Sequence, residues 1–141
     1  NIEKEDILVV NDGTYLMGRT AMVTDADLKI VIQSHLRRIK ILNKEALSPY
    51  LLLALLGLEI VQKQIESKSF RQGTISTLGS RLTEVKIPIP IDENIKEEII
   101  LNVKSIIDNK ENAKLFAQQF KLMNKTENLM GIKNKAKIGN L

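Results

Sequence analysis

The chain has 141 residues, enough for one domain or one domain with an appendage. Hydrophobic residues make up 43% of it, so it can bury a core, but only 4% is aromatic and Trp is absent; the core must be built from Ile, Leu and Val. Cys is also absent, which rules out disulfides and thiolate metal sites and fits a reducing, cytoplasmic setting.

A net charge of +4 and a pI near 9.3 lean towards an anionic partner. The distribution of acids says more than the total. Residues 28–44 contain Lys29, Arg37, Arg38, Lys40, Lys44 and His35 but neither Asp nor Glu. Residues 67–83 contain Lys68, Arg71 and Arg81, again without an acid. Two such windows can fuse into a phosphate-attracting surface; the competing reading is two solvated faces that happen to be basic. No apolar run approaches the roughly 18–20 residues that a membrane helix needs, and the opening residues Asn1 to Asp6 are acidic where a secretory signal is basic. A start without Met, almost inside a strand, reads as a piece cut from a longer protein.

In chain order, Asp6-Ile7-Leu8-Val9-Val10 predicts a strand ending in the turn signal Asn11-Asp12-Gly13. Residues 15–24 predict a second strand, bulged at Gly18, and Asp25-Ala26-Asp27 a turn. Residues 29–42 begin with Ile30, Val31 and Ile32 and end with Leu36, Ile39 and Ile41, whose parity requires a bulge or two strands. Ser48-Pro49 opens a helix running to about Glu66, with a broad apolar face through Leu51, Leu52, Leu55, Leu56, Val61 and Ile65. A polar loop is expected over 68–81, then an edge strand over 82–90 whose Ile87-Pro88-Ile89-Pro90 tail cannot donate a full ladder. From Asp92 the spacing of Ile95, Ile99, Val103, Ile106, Ala113, Ala117 and Phe120 predicts a long helix to about Asn128, with a heptad-like seam broken at Lys110. At about 1.5 Å per residue it would span roughly 50 Å, more than the preceding domain can cover. Packing of that seam against another helix of the parent protein is favoured over a homodimer zipper. The division expected is therefore a domain over 1–91, a spacer or dimerisation-type helix over 92–128 and a flexible tail over 129–141.

Catalytic patterns are missing. Glu84-Val85-Lys86 and Asp27-Leu28-Lys29 have the carboxylate–x–lysine spacing of metal nucleases but no partner acid upstream. His35, the lone histidine, rules out zinc sites built on several imidazoles. Gly13, Gly18, Gly73 and Gly79 form neither a P-loop nor a dinucleotide fingerprint. No cofactor is expected.

Three segments in order carry a resemblance. They are EDILVVNDGTYLMGRTAMV (5–23), IVIQSHLRRI (30–39) followed by SPYLLLALL (48–56), and QGTISTLGSRLTEVKIPIPIDENIKEEI (72–99). Together they resemble the specificity subunits of type I restriction–modification systems and the recognition regions fused to N6-adenine DNA methyltransferases. The Gly-Thr loop, Ile-Pro-x-Pro strand end and immediate long helix are the most specific part. The resemblance spans roughly residues 5–120, and relative to the family's pattern the region before the Glu5 strand is missing.

The resemblance implies an α+β fold: a small, twisted, mostly antiparallel sheet with one packed core helix, followed by a long C-terminal helix. It implies a non-catalytic module that recognises double-stranded DNA, with methyltransferase and, where present, restriction subunits as partners and methyl transfer and base flipping done by the methyltransferase subunits. The long helices would pair as a ruler between two half-sites, with helix-mediated self-association as a further possibility. A protein-interaction module working through the long helix is the alternative. DNA-contacting candidates are Thr14, Tyr15 and Arg19 at the first turn, Gln33, His35, Arg37 and Arg38 on the middle strand, and Lys68, Arg71, Gln72, Gly73, Thr74, Ser76, Thr77 and Arg81 around the later loop. Gln and Arg can bond adenine and guanine bidentately, and short hydroxyls suit either. Turn chemistry at Asn11-Asp12-Gly13 and backbone satisfaction by Thr74, Ser76 and Thr77 are the structural alternatives. Which of Arg37 and Arg38 faces DNA is left open by the sequence.

Overall fold

A computed structural model describes residues 1–13, 15–72 and 75–129. The first strand, β1 (Ile7–Val10), lies at the centre of an antiparallel sheet between β3 (Thr20–Met22) and β4 (Leu36–Ile39), with Ile7 opposite Met22 and Ile39. Past Asn11 the chain enters a second antiparallel sheet, in which β2 (Asp12–Gly13) pairs with β6 (Ile75–Thr77) and β6 with β5 (Phe70–Gln72). Asn11 joins the two: its N–H donates to the His35 carbonyl at 2.8 Å and its carbonyl accepts from Leu78 N at 2.9 Å.

One face of the first sheet is apolar. Ile7, Val9 and Met22 pack with Tyr50, Leu52 and Leu56 of α1 (Pro49–Leu56), Val61 and Ile65 of α2 (Glu59–Lys68), and Leu78. At about 25 cal/mol per Å² of apolar surface, burial of these branched side chains is the main favourable term available to the fold. Ile100, Val103 and Ile107 of α3 (Glu93–Leu129) close the far side of the cluster. Their spacing of three and four puts them on one stripe. The stripe continues into polar contacts with the 3-10 turn Asp25–Asp27, where Glu111 accepts from Ala26 N at 3.1 Å and Lys114 bonds the Asp27 carboxylate at 2.9 Å. Beyond Lys114, Leu115, Phe116, Phe120, Leu122 and Met123 are exposed.

The structure is α+β, as the sequence predicts, but several elements differ from expectation. The single helix from Ser48 to Glu66 is two helices. Gly57 ends α1, and Leu58 is extended (ψ 140°) before α2 begins. The freed Leu56 carbonyl accepts from Gln62 Nε2 at 2.8 Å, and Gly18 O from the same nitrogen at 3.2 Å. The apolar face runs unbroken across the join, so periodicity does not register it. The second strand is only Thr20–Met22, because Gly18 takes φ +80° to turn the chain. Residues 30–35 form no strand; β4 starts at Leu36. The polar loop after α2 contains the β5 and β6 hairpin strands. Residues 82–90 form no strand either: Gly79–Glu84 is a 3-10 helix and the rest is extended chain. The backbone of Lys86 is bonded by a side chain instead, with Gln64 Nε2 donating to Lys86 O at 2.8 Å and Gln64 Oε1 accepting from Lys86 N at 2.9 Å.

Glu5 has φ +70°, a region that non-glycine residues rarely adopt. Its carboxylate lies between Lys44 Nζ at 2.5 Å and the Tyr50 hydroxyl at 3.0 Å. Burial pushes the Glu5 carboxyl up, but the bonds from Lys44 and Tyr50 outweigh this and hold it below the usual carboxylate range. Burial, with Glu5 alongside, raises the Tyr50 phenol to about 12. At Asp27 burial likewise opposes, and the bonds from Lys114 and Thr24 overcome it.

Two outcomes follow for stability. Carboxyls lowered in the fold stabilise it above the unfolded carboxylate range and lose that contribution as pH falls through the folded value. Glu5→Gln and Asp27→Asn should therefore flatten the acid limb of a thermal-denaturation profile against pH. A Cβ at position 18 would meet Ile65 Cγ2 at 2.7 Å in a backbone conformation that L residues avoid. Gly18→Ala should cost about 1–3 kcal/mol in urea unfolding.

Candidate nucleic-acid interface

The two acid-free windows meet along one row of the second sheet. Asp12 lies opposite Thr77, and Thr77 opposite Phe70. Directly opposed residues share a face, so the three side-chain positions form a band across the sheet. At one end the Asp12 carboxylate pairs with His35 Nδ1. At the other, the Arg81 guanidinium lies 4.9 Å from the centroid of the Phe70 ring, a cation–π distance. Arg81 Nη1 also reaches Lys68 O at 3.4 Å. The band thus links residues from β2, the turn before β4, β5, β6 and the 3-10 helix.

Other candidates divide by whether an acid has claimed them. Arg38 turns back to the buried Asp6 carboxylate at 3.5 Å and to the Asn1 carbonyl. Lys40 pairs with Glu3 at 2.6 Å, Lys44 with Glu5, and Lys68 with Glu84 at 3.0 Å. Arg19 and Arg37 are exposed and have no acidic partner among the described residues. They lie on opposite edges of the first sheet, Arg19 just before β3 and Arg37 on β4. Of the arginine pair on β4, Arg37 is thus the one available to an anion.

Gln33 and His35 were expected on a strand; both lie in the turn leading into β4, exposed, with Gln33 O accepting from Leu36 N at 3.0 Å. Tyr15 is 91% exposed on the connection between β2 and β3. Arg71 and Gln72 are on β5 and Ser76 on β6; Thr14, Gly73 and Thr74 lie outside the described residues. Phe70 went unnoticed in the sequence, although an aromatic in a basic, acid-free window is the composition from which stacking surfaces are made.

Glu84 and Lys86, the nuclease-like pair, are on no strand, and Glu84 is engaged by Lys68. Among the described residues no group of three or more His, Cys, Asp or Glu could hold a metal ion. No helix among them is long and apolar enough to cross a membrane.

The family model described as type I restriction modification DNA specificity domain matches residues 1–137. The chain belongs to that family. No curated protein and no solved structure matches it. Membership supports a role in the DNA sequence specificity of a type I restriction–modification system and gives no support to an interaction module acting through the long helix alone.

The contrast between the paired and free arginines is measurable without a ligand. Arg38→Ala leaves the buried Asp6 without its cation and should lower unfolding stability by roughly 1–3 kcal/mol. Arg37→Ala should stay within about 0.5 kcal/mol of the parent.

Proposed function

We propose that the chain recognises double-stranded DNA sequence as the non-catalytic specificity module of a type I assembly, in the cytoplasm. Methyltransferase subunits, and restriction subunits where present, supply the chemistry. The family match over nearly the whole chain carries this reading. The band from His35 to Arg81 and the free arginines beside it support it physically, because a DNA reader needs cations for phosphate and polar side chains for base edges. Arg19, Arg37 and Arg81 take the phosphate role. His35, Thr77, Gln33 and Tyr15 take base or sugar contacts, and Thr14, Arg71, Gln72, Gly73, Thr74 and Ser76 remain further candidates from the sequence. Lys68 and Arg38 serve the fold rather than the ligand, since each already has a carboxylate partner.

In this reading residues 1–91 form the recognition domain, 92–128 the spacer helix and 129–141 a tail. The exposed apolar residues of α3 beyond Lys114 are the surface for a second helix, in the parent protein, a partner subunit or another copy.

Fluorescence-anisotropy titration against random duplexes at low and near-physiological salt tests the function. Binding should weaken steeply with salt. Arg37→Ala and Arg81→Ala should each reduce the log–log salt slope by about 1, while Lys40→Ala and Lys44→Ala, whose charges are spent on Glu3 and Glu5, should leave it nearly unchanged. Absence of binding at low salt would refute DNA recognition by this chain.

A further inference from the structure

His35 is the only imidazole in the chain and stands at the seam of the two sheets. Its backbone is fixed there, since its carbonyl accepts from Asn11 N. Its ring is fixed as well, because Nδ1 contacts Asp12 Oδ1. The Asp12 side chain is 25% exposed and rooted in β2, whereas the His35 side chain is 58% exposed. A carboxylate accepts hydrogen bonds and cannot donate one, so the ring nitrogen facing it carries a proton. In the neutral imidazole the other nitrogen, Nε2, then has only a lone pair to offer. The remaining charged groups on strands meeting at this seam are Arg37 and Arg38 on β4 and, by register, Arg71 on β5; Arg38 is turned to Asp6. Among the described residues no side chain other than Asp12 is hydrogen-bonded to the ring.

We propose that Asp12 is a positioning residue that locks the His35 tautomer, and that His35 Nε2 is a specificity-determining acceptor for an exocyclic amino group on a base edge. In the major groove only cytosine N4 and adenine N6 present such donors, while guanine and thymine present acceptors at the equivalent positions. One site position would thus be restricted to adenine or cytosine. Without Asp12 the ring can hold its proton on either nitrogen, and the restriction relaxes. This rests on the DNA-recognition reading given above, but its first half is independent of DNA.

Two measurements test it. With a single histidine, the 15N shifts of the ring in the whole chain are unambiguous. At about pH 8.5 the parent should show a protonated Nδ1 and an unprotonated Nε2, and Asp12→Ala should move both shifts towards a mixed tautomer. A protonated Nε2 in the parent, or shifts unmoved in Asp12→Ala, would overturn the positioning role whatever the chain binds. Selection from random duplexes at the same pH should then give one position confined to adenine or cytosine. His35→Ala should lose about tenfold discrimination there, and Asp12→Ala should admit guanine and thymine at that position alone. An unchanged preference in His35→Ala overturns the specificity role. A parent chain that shows the expected tautomer but binds no duplex overturns the DNA reading, and the specificity role with it, leaving only the locked tautomer.

Discussion

One short segment, β1 running through Asn11 into β2, serves two sheets, and the rest of the molecule depends on that constraint. β1 supplies the centre of the first sheet, and two residues later the same segment supplies an edge of the second. Asn11 lies between them and spends its backbone on both sides, donating to His35 and accepting from Leu78. A buried backbone group without a partner is costly, so these two bonds fix the turn before β4 and the exit from β6 relative to β1. His35, Asp12 and Thr77 of the band lie next to this junction, and Phe70 and Arg81 follow from it through β6 and the 3-10 helix after Leu78. The two acid-free windows, more than twenty residues apart in the chain, become neighbours for this reason.

Burial and charge then divide the labour. The apolar face of the first sheet is closed by α1, α2 and the first half of α3. Around its rim Lys4, Arg38, Lys40, Lys44 and Lys114 are each matched to a carboxylate. Exposed pairs of this kind contribute little individually, but they remove cations from the pool available to a polyanion. The net charge of the chain therefore overstates what a ligand meets, and among the described residues the cations without a carboxylate partner define the electropositive surface better than the total.

Local chemistry was legible in the sequence, and tertiary accounting was not. Ser48-Pro49 marked the start of α1 correctly because the fixed φ of proline acts at the first helical position, although the Ser48 side chain makes no capping hydrogen bond. The long helix was visible from the spacing of its apolar residues. The break at Gly57 was not, since Leu55, Leu56, Val61 and Ile65 keep one face apolar across it. Gly18 was read as a bulge within a strand, whereas it turns the chain where Ile65 leaves no room for a Cβ. The basic residues were correctly counted, but whether each was free depended on acids elsewhere in the chain, such as Asp6 for Arg38. The pairing of His35 with Asp12 spans twenty-three residues and has no local signature.

The strand expected over 82–90 has a different lesson. Its alternation is real, since Val85 and Ile87 do pack against the core, but a side chain stands in for the partner strand. Gln64 bonds both backbone groups of Lys86, as a neighbouring strand residue would. A ladder spreads its backbone bonds over several residues; here both fall on one residue, Lys86, a short arm before α3 begins at Glu93. The lead-in to the long helix is thus held to α2 by Gln64 at Lys86 and by Lys68 at Glu84, with Pro88 and Pro90 stiffening the short arm between Lys86 and the helix. α3 itself meets the preceding fold directly through Ile100, Val103, Ile107, Glu111 and Lys114, so the Gln64 amide acts as a tether that holds the approach to the helix against α2 while the core holds its middle.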